Sequence, residues 1–263
     1  MLRVVAVAGT LTLAVALPLM GQASKSRTAV PAGVDRELSA PFKVGERAEY
    51  RVGFGIFRNV GSGSMRVSRV EMVRGHPTYR MEFRLRGGIP GARVNNSYDS
   101  WLDVRGLFSR RFEQDTNEVR FTRQRVREFY PEEMRWTGRT NDREESGELP
   151  TATPLDDTAF LYFVRTLDLV PGQEYEFNDY WNPNGNPVRI KVLRRETVEV
   201  PAGTFNTVVL QPLIQTSGLF SEGGEAEVYI SDDDARILVM LRAKVTFGSL
   251  RLELQEYTPG KGM

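Results

Sequence analysis

Apolar and polar residues alternate along most of the chain from Phe42 onward. A period of two is typical of a β-strand that has one face on a core and the other in water. Parallel strands buried on both faces would instead give unbroken apolar runs. The apolar members of four such stretches are Ala48, Tyr50, Val52 and Phe54; Tyr79, Met81, Phe83 and Leu85; Val188, Ile190 and Val192; and Leu250, Leu252 and Leu254. The pattern predicts about a dozen antiparallel strands joined by short loops.

Short turn sequences separate these stretches and predict hairpins and meanders. Asn184-Gly185 gives the strongest prediction of a hairpin turn, because both central residues of a type I′ turn need a positive φ. The other turn sequences are Arg86-Gly87-Gly88, Pro90-Gly91, Pro171-Gly172 and Pro201-Ala202-Gly203. Residues 139–150 are polar and charged. Because the strand pattern is similar on both sides of them, we expect a mobile loop there rather than a domain linker.

Residues 154–167 break the alternation and predict a helix. Asp156 is the expected N-cap, and Asp157 in the first turn suits the helix dipole. Leu155 and Phe160 have the spacing of a hydrophobic staple. Five side chains at helical spacing would form one apolar face that the sheet must cover: Ala159, Phe160, Phe163, Val164 and Leu167.

These patterns together predict a mainly β fold. We expect a strongly curved antiparallel sheet, an open or partial barrel rich in meanders, packed around one principal helix. Residues 41–258 would form a single β-rich domain, followed by a short tail at 259–263. A chain of 263 residues buries enough surface to need no metal or disulfide for stability.

The N-terminal residues have the pattern of an export signal. Arg3 precedes an apolar run from Val4 to Met20, and small residues follow at Gly21 and Ala23. This order predicts a signal peptide at residues 1–23 and a flexible leader at 24–40, with an uncleaved membrane anchor as the alternative. After cleavage no transmembrane span would remain. We therefore expect an exported protein of the periplasm or the outer-envelope periphery.

Charge and cysteine content narrow the possible partners and chemistry. The chain has 35 Lys and Arg against 34 Asp and Glu, and the predicted signal peptide removes only Arg3 from this balance. A mature chain without net charge has no overall field to attract nucleic acid, so none is expected as a partner. The absence of cysteine excludes disulfides, thiolate catalysis and lipid attachment through a cysteine at the cleavage site.

The residues that could carry chemistry are few, and each has a structural explanation. His76 is the only histidine, so a multi-histidine metal site is excluded, and its neighbours indicate a turn. The run from Ser231 to Asp234 indicates a turn more than a calcium site, since the spacing of an EF-hand is absent. Asp156 and Asp157 could serve a glycan hydrolase only with a distant carboxylate, such as Asp233 or Glu46. We therefore expect no catalytic residue, no metal and no cofactor.

A basic stretch crosses the middle of the chain. Arg123, Arg125 and Arg127 would lie on one strand face, with glutamates close by in the sequence. Such a stripe could meet lipid headgroups or another anion. Cross-strand ion pairs are the favoured interpretation.

Aromatic residues provide the candidate ligand site. In a curled sheet, inward aromatic side chains either form a solid core or line a cavity for one apolar ligand. The residues expected to line such a cavity, between the sheet and the helix, are Tyr50, Phe54, Trp101, Phe160 and Phe163. The expected ligand is apolar or lipid-like.

Four stretches of the chain, taken in order, carry a family resemblance: residues 42–50 with Gly61 and Gly63; 155–165; 196–207; and 229–236 with Lys244 and 248–250. Together they resemble an exported bacterial domain-of-unknown-function family (three-one-zero-eight). Leu238 departs from the proline that this family would have there. The resemblance implies an envelope location and a single β-rich domain, and it implies no reaction. A looser likeness, at the level of fold, is to periplasmic lipoprotein carriers.

The leading hypothesis is an exported, non-enzymatic envelope protein that binds an apolar or lipid-like ligand between sheet and helix. One alternative is an envelope scaffold or protein-interaction module with a solid core, whose partner would be another envelope protein. The less favoured alternative is a carboxylate-based glycan hydrolase.

Overall fold

The computed structural model describes residues 27–29, 40–118, 121–214, 226–245 and 248–261. These residues contain one α-helix, α1 (Asp157–Phe163), and short 3-10 helices at Pro131–Glu133, Val164–Thr166 and Pro183–Gly185. The strands before α1 are β1 (Arg27–Ala29), β2 (Arg47–Phe54), β3 (Phe57–Val73), β4 (His76–Ile89), β5 (Ala92–Asp103), β6 (Ser109–Glu118), β7 (Phe121–Tyr130), β8 (Arg135–Thr140) and β9 (Arg143–Glu148). The strands after it are β10 (Glu174–Phe177), β11 (Val188–Val200), β12 (Gly203–Leu213), β13 (Ala226–Ser231), β14 (Leu238–Val245) and β15 (Gly248–Thr258).

All the described strands belong to one sheet, in the order β1-β10-β11-β12-β13-β14-β15-β2-β3-β4-β5-β6-β7-β8-β9. Every neighbouring pair is antiparallel except β1 and β10. Two meanders, β2–β9 and β10–β15, join where β15 pairs with β2. The described strands β9 and β10 do not pair, so the sheet stays open. The chain passes from one edge to the other through α1, which confirms the predicted mainly β fold with a curved sheet and one helix.

Register shifts and a glycine pair allow this sheet to curl. Bulges interrupt the pairing at Val67/Arg69, Trp101/Leu102 and Val192/Arg194, and each bulge bends its strand and increases the twist. Gly61 lies directly opposite Gly87. A Cβ on Gly61 would lie 2.1 Å from the carbonyl oxygen of Arg86, so the two backbones approach too closely for any larger residue.

The α1 helix confirms the predicted cap but not the predicted length or the single apolar face. The Asp156 carboxylate accepts hydrogen bonds of 2.9 Å from the backbone N–H groups of Thr158 and Ala159. Seven residues are α-helical, and one 3-10 turn follows. Every side chain from Thr158 to Phe163 is buried. The sheet curves around the helix and leaves it no solvent side, and a helix in that position is apolar all round.

The expected hairpin at Asn184-Gly185 is wrong. Both residues lie in the right-handed 3-10 turn Pro183–Gly185. Pro183 fixes its φ near the helical value, and the Asn182 side chain accepts a 3.1 Å hydrogen bond from the backbone N–H of Asn184. These two local effects outweigh the preference of Asn-Gly for positive φ.

The expected mobile loop at residues 139–150 is also wrong. Most of it belongs to strands β8 and β9, which pair from Arg135↔Glu148 to Thr140↔Arg143. Asn141 makes the turn with a φ of 51°. Because β9 is an edge strand that water reaches from several sides, its sequence lacks the alternation that marks the central strands.

Some of the sequence predictions concern residues outside those described. The predicted signal peptide, residues 1–23, lies wholly outside them, as does the predicted leader at 24–40 apart from Arg27–Ala29 and Ala40. Among the described residues, no helix is long and apolar enough to cross a membrane.

Candidate functional site

The space between α1 and strands β11–β14 is filled by side chains. Phe160, Leu161 and Val164 of the helix segment face Ile190, Leu210, Pro212, Val228, Ile230 and Leu238 of the sheet, around a void of about 10 Å³. A void of that size holds at most one water molecule. A ligand between helix and sheet would therefore have to displace the helix.

Three of the five predicted ligand-lining residues lie in this packed interior. Phe160 and Phe163 pack on Phe177, with ring centroids 6.4 Å and 5.5 Å apart. The hydroxyl of buried Tyr50 donates a 3.0 Å hydrogen bond to the backbone carbonyl of Leu238. Each of these side chains already has a partner within the protein.

The other two predicted residues lie apart from that interior and from each other. Phe54 is half-buried at the end of β2, opposite Leu250, on the face that the helix packs against. Trp101 points away from the helix, because its neighbour Ser100 donates a 2.6 Å hydrogen bond to Asp156 and successive side chains alternate. On the outer face the Trp101 ring stacks with Arg80 and Arg111, and its indole N–H bonds to Glu71. The structure does not bring the five residues together.

Buried polar groups fix the start of α1 to the sheet. Asp156 is fully buried, accepts the Ser100 hydrogen bond and donates its backbone N–H to the Ser109 hydroxyl over 2.9 Å. Burial raises the pKa of the Asp156 carboxyl to about 6, although the hydrogen bonds from Ser100 and Ala159 oppose the rise. Next to it, the Tyr180 hydroxyl donates a 2.6 Å hydrogen bond to Asp157, whose pKa is also raised by burial.

A buried ion pair fixes the other end of the helix segment. The Arg165 guanidinium binds the Glu46 carboxylate through two hydrogen bonds of 2.6 Å and 3.1 Å, and both side chains are more than nine-tenths buried. Arg165 also donates to the Ala235 carbonyl over 2.8 Å, and Tyr257 donates to Glu46 over 3.2 Å. Sequence reasoning missed this pair, because no spacing rule links two residues that are 119 positions apart.

The four carboxylates considered for a hydrolase all have structural partners. Asp156 caps the helix, Asp157 binds Tyr180 and Glu46 binds Arg165. Asp233 accepts hydrogen bonds from the Ser231 hydroxyl and the Arg236 backbone N–H, so the run from Ser231 to Asp234 forms the predicted turn. His76 begins strand β4 with a side chain 43% exposed, 4.0 Å from Glu132, beside the turn at Arg74-Gly75.

A row of polar residues crosses the inner face beside the start of α1. Gln114 lies opposite Tyr98 on one side and opposite Arg125 on the other. Residues paired across an antiparallel sheet share a face, and Tyr98 is two positions from Ser100, which contacts the helix. Arg125 and its neighbours Arg123 and Arg127 therefore point towards the interior.

The expected ion pairing of these arginines holds for one of them. Arg127 binds Glu145 at 2.5 Å and also donates hydrogen bonds to Arg139 O and Thr140 Oγ1. Arg123 and Arg125 form no salt bridge with any carboxylate among the described residues. Arg123 lies over the ring of Phe121, and Arg125 lies over the ring of Trp181. Burial and the neighbouring Arg123 lower the pKa of Arg125.

Buried polar atoms without a hydrogen-bond partner concentrate at this point. Within the described part of the chain they include three N–H donors, Nε of Arg125, Nε of Arg127 and Nε1 of Trp181, together with Oε1 of Gln114 and Oγ1 of Thr158. The guanidinium carbons of Arg125 and Arg127 lie 5.8 Å and 5.3 Å from the centroid of the Trp181 ring. Buried polar groups are almost always paired, so a cluster of unpaired ones indicates a place for water or a ligand. We call Gln114, Arg125, Arg127, Thr158 and Trp181 the donor cluster.

Half-buried apolar side chains adjoin the donor cluster on the same face. Tyr98 stacks on Phe83 with ring centroids 5.6 Å apart. Further apolar side chains that are only partly buried lie on β3, β4 and β5 towards the turn at Pro90-Gly91, and on β15. We call this region the apolar mouth. Its residues are Val60, Phe83, Val94, Tyr98 and Leu250, together with Phe54, which pairs with Leu250 across the sheet.

Comparisons with known proteins give a family but no activity. The model of a family described as "Protein of unknown function (DUF3108)" matches residues 49–255. No curated protein matches the chain.

One solved structure shares the fold at low sequence identity, and two others resemble the chain less. A β-barrel-like protein of domain of unknown function DUF1849 from Brucella abortus superimposes with a TM-score of 0.54 at 12% identity, over 84% of this chain and 99% of that one. A putative lipoprotein from Parabacteroides distasonis gives a TM-score of 0.33 at 12% identity, over 85% of this chain and 100% of that one. A putative exported protein with a YmcC-like fold from Bacteroides fragilis gives 0.30 at 11% identity, over 85% and 100%. The first of these shows a shared fold and nothing about function.

Proposed function

The chain belongs to the DUF3108 family of proteins of unknown function, and we propose that it is an exported, non-enzymatic binding protein of the bacterial envelope. Its ligand is apolar or lipid-like and lies on the inner face of the sheet, at the apolar mouth and the donor cluster. The observation that carries this proposal is the concentration of unpaired buried polar atoms beside half-buried apolar side chains.

This location differs from the space between helix and sheet that the sequence suggested. That space has a void of only about 10 Å³, whereas the apolar mouth leaves Phe54, Phe83 and Tyr98 partly exposed. Apolar burial contributes about 25 cal/mol per Å², so even partial cover of these rings favours an apolar ligand. Of the five residues predicted from sequence, the proposal keeps only Phe54 as a ligand contact.

The proposal of export rests on the sequence of residues 1–23. We expect protein recovered from the periplasm of a producing bacterium to begin at Ser24, as read by N-terminal sequencing. Recovery of the uncleaved chain in the membrane fraction would favour the anchor instead. Recovery from the cytoplasm alone would contradict export.

The ligand proposal is tested by titrating the full chain, freed of bound lipid, with a single-chain lipid below its micelle concentration. We expect saturable binding of one molecule per chain. The control variant is Met72→Ala, which removes a side chain that is 63% exposed in the groove on the outer face. Replacing Phe83 by Asp, which puts a charge into the apolar mouth, should abolish binding and leave the far-ultraviolet circular dichroism unchanged.

An envelope interaction module remains the second candidate, and the outer face favours it. An open groove of about 650 Å³ there is lined by aromatic and paired charged side chains, among them Glu71, Arg80, Trp101 and Tyr130. Cross-linking in cells from a photoreactive residue at position 72 would support this candidate if one envelope protein were captured and no lipid bound in the titration. Met72 is suitable because its side chain is 63% exposed at the groove.

A further inference from the structure

We propose that the ligand carries an anionic phosphate-ester group and that Arg125, Arg127 and Trp181 hold it. This inference rests on the proposed function and names the chemical class that the same site would accept. It follows from the kind of atoms left unpaired, from their spacing and from the charges around them.

The unpaired atoms of the donor cluster are mostly donors. Three N–H groups, on Arg125, Arg127 and Trp181, are buried and have no acceptor within the described protein. The Trp181 side chain is 5% exposed and that of Arg127 is 2% exposed, so bulk water is not a ready partner for either. Donors in such surroundings need a ligand rich in acceptor oxygens, and charge-assisted hydrogen bonds to an anion are the strongest available.

The charges that face Arg125 leave an excess of positive charge. They are the guanidiniums of Arg123 and Arg127 and the carboxylates of Asp157 and Glu145. The Tyr180 hydroxyl, which donates its hydrogen bond to Asp157, also faces Arg125. Glu145 is already bound by Arg127. Three guanidiniums thus face two carboxylates, and an anion placed against Arg125 would balance the charge.

The geometry favours phosphate over carboxylate. The donors approach from strand β7 and from the segment after α1, with Arg125 and Arg127 both within 6 Å of the Trp181 ring centroid. A phosphate ester offers two or three acceptor oxygens in different directions, whereas a carboxylate offers two in one plane. Arginine is also the residue that most often binds phosphate in a fixed orientation.

The row of inner-face residues that begins at Arg125 indicates where the rest of the ligand would lie. From Arg125 through Gln114 to Tyr98 and Phe83 the inner face changes from cationic to apolar within four neighbouring strands. A phosphate group at the donor cluster would direct an attached acyl chain onto the apolar mouth. The shared chemistry is therefore a phosphate ester, and its source is either a lipid or a small soluble phosphate.

The test compares four probes on the full, delipidated chain by calorimetry. They are oleoyl lysophosphatidic acid, monooleoylglycerol, oleic acid and glycerol 3-phosphate. We expect lysophosphatidic acid to bind at least about tenfold more tightly than monooleoylglycerol or oleic acid, as the loss of one charged hydrogen bond implies. Equal affinity for lysophosphatidic acid and for either unphosphorylated lipid would overturn the phosphate assignment while leaving the proposed function standing. Failure of all three lipids to bind would contradict the proposed function itself.

The soluble probe separates the two sources. If glycerol 3-phosphate binds as tightly as lysophosphatidic acid, the phosphate assignment stands, and the acyl chain and the apolar mouth have no part in binding. If it binds much more weakly, the phosphate belongs to a lipid.

Variants identify the residues. Arg125→Gln should weaken binding of lysophosphatidic acid about tenfold and leave monooleoylglycerol unaffected. Arg139→Gln is the matched control, because it removes the same charge from an exposed position on the outer face of the neighbouring strand β8. Trp181→Phe keeps the ring but removes its donor, so it tests the site even if Arg125→Gln fails to fold. Unchanged affinity in the folded variants would overturn the assignment of these residues.

Discussion

At the scale of a single residue, Asp156 links helix α1 to the sheet. Its carboxylate takes hydrogen bonds from Thr158, Ala159 and Ser100, and its own backbone N–H donates to Ser109. The sequence predicted only the helix-capping part, since a cap is a local feature. The contacts with Ser100 and Ser109 depend on the fold, and no local pattern carries them.

The raised pKa of Asp156 predicts a change of stability with pH. Burial raises it to about 6, above the value of about 3.9 for an exposed aspartate. The folded chain therefore binds this proton more tightly than the unfolded chain, so the contribution of Asp156 to the unfolding free energy falls as pH rises from about 4 to about 6. Asp156→Asn removes the titration. We expect urea unfolding to show that the variant gains on the wild type by about 1.4 kcal/mol per pH unit across that window. Parallel curves for the two proteins would contradict the raised pKa.

The Glu46–Arg165 pair predicts an unequal response to loss of one charge. Glu46→Gln would leave the Arg165 guanidinium buried without its counter-charge, and we expect a loss of about 3 kcal/mol in unfolding free energy. The matched control is Glu49→Gln, which breaks the Arg47–Glu49 pair with side chains 57% and 27% exposed. That change should cost less than about 1 kcal/mol. Similar losses in both variants, measured by denaturant unfolding, would show that the buried pair has no special part in holding the helix.

At the scale of elements, the environment of each segment decided whether its structure could be predicted from the sequence. Apolar and polar residues alternate in central strands such as β2 and β4, because one face meets the core and the other meets water. This period of two can be recognised in the sequence. The β8–β9 hairpin lies at the open edge of the sheet, and its polar sequence was mistaken for a mobile loop. Asn184-Gly185 misled because Pro183 and Asn182 impose a right-handed turn on it.

The packing of α1 predicts the cost of opening a space beneath it. Phe160 is 1% exposed and borders the small void against β11–β14. Phe160→Ala should lower the unfolding free energy by about 3–5 kcal/mol and leave a dry apolar cavity. Phe57→Ala, at a ring 53% exposed, should cost less than about 1 kcal/mol. A small loss for Phe160→Ala would mean that the helix does not fill the interior as tightly as the structure indicates.

At the scale of the whole molecule, the curved sheet and its single helix could be read from the sequence, and the order of the strands could not. The seam between β15 and β2 joins residues about two hundred positions apart, such as Leu252 and Val52. No turn sequence or hydrophobic period predicts a pairing between strands so far apart in the chain. The positions of the candidate site residues could not be predicted for the same reason. In the sequence analysis the aromatic residues were treated as one group. In the folded chain Trp101 lies on the outer face, Phe160 is packed inside and Phe54 lies at the apolar mouth.

The donor cluster also arises only from the whole fold. Arg125 comes from β7, Thr158 from α1 and Trp181 from the segment before β11. The sequence did indicate the arginine stripe and raised an anion as one of its partners. Ion pairing was favoured because glutamates lie nearby in the sequence. The burial of Arg125 without a bound carboxylate can be seen only in the folded chain.

The central claim is that the ligand lies on the inner face at the apolar mouth and the donor cluster, and tryptophan quenching tests it most directly. Trp136 and Trp181 pack together on the inner face with ring centroids 5.4 Å apart, whereas Trp101 lies on the outer face. The probe is lysophosphatidic acid brominated near the head-group end of its acyl chain. Because Trp181 is itself assigned to binding, both variants are measured at probe concentrations that calorimetry shows to be saturating for each. We predict strong quenching in Trp101→Phe, which keeps only the inner tryptophans, and none in Trp136→Phe/Trp181→Phe, which keeps only Trp101. Quenching of Trp101 without quenching of the inner pair would contradict the account.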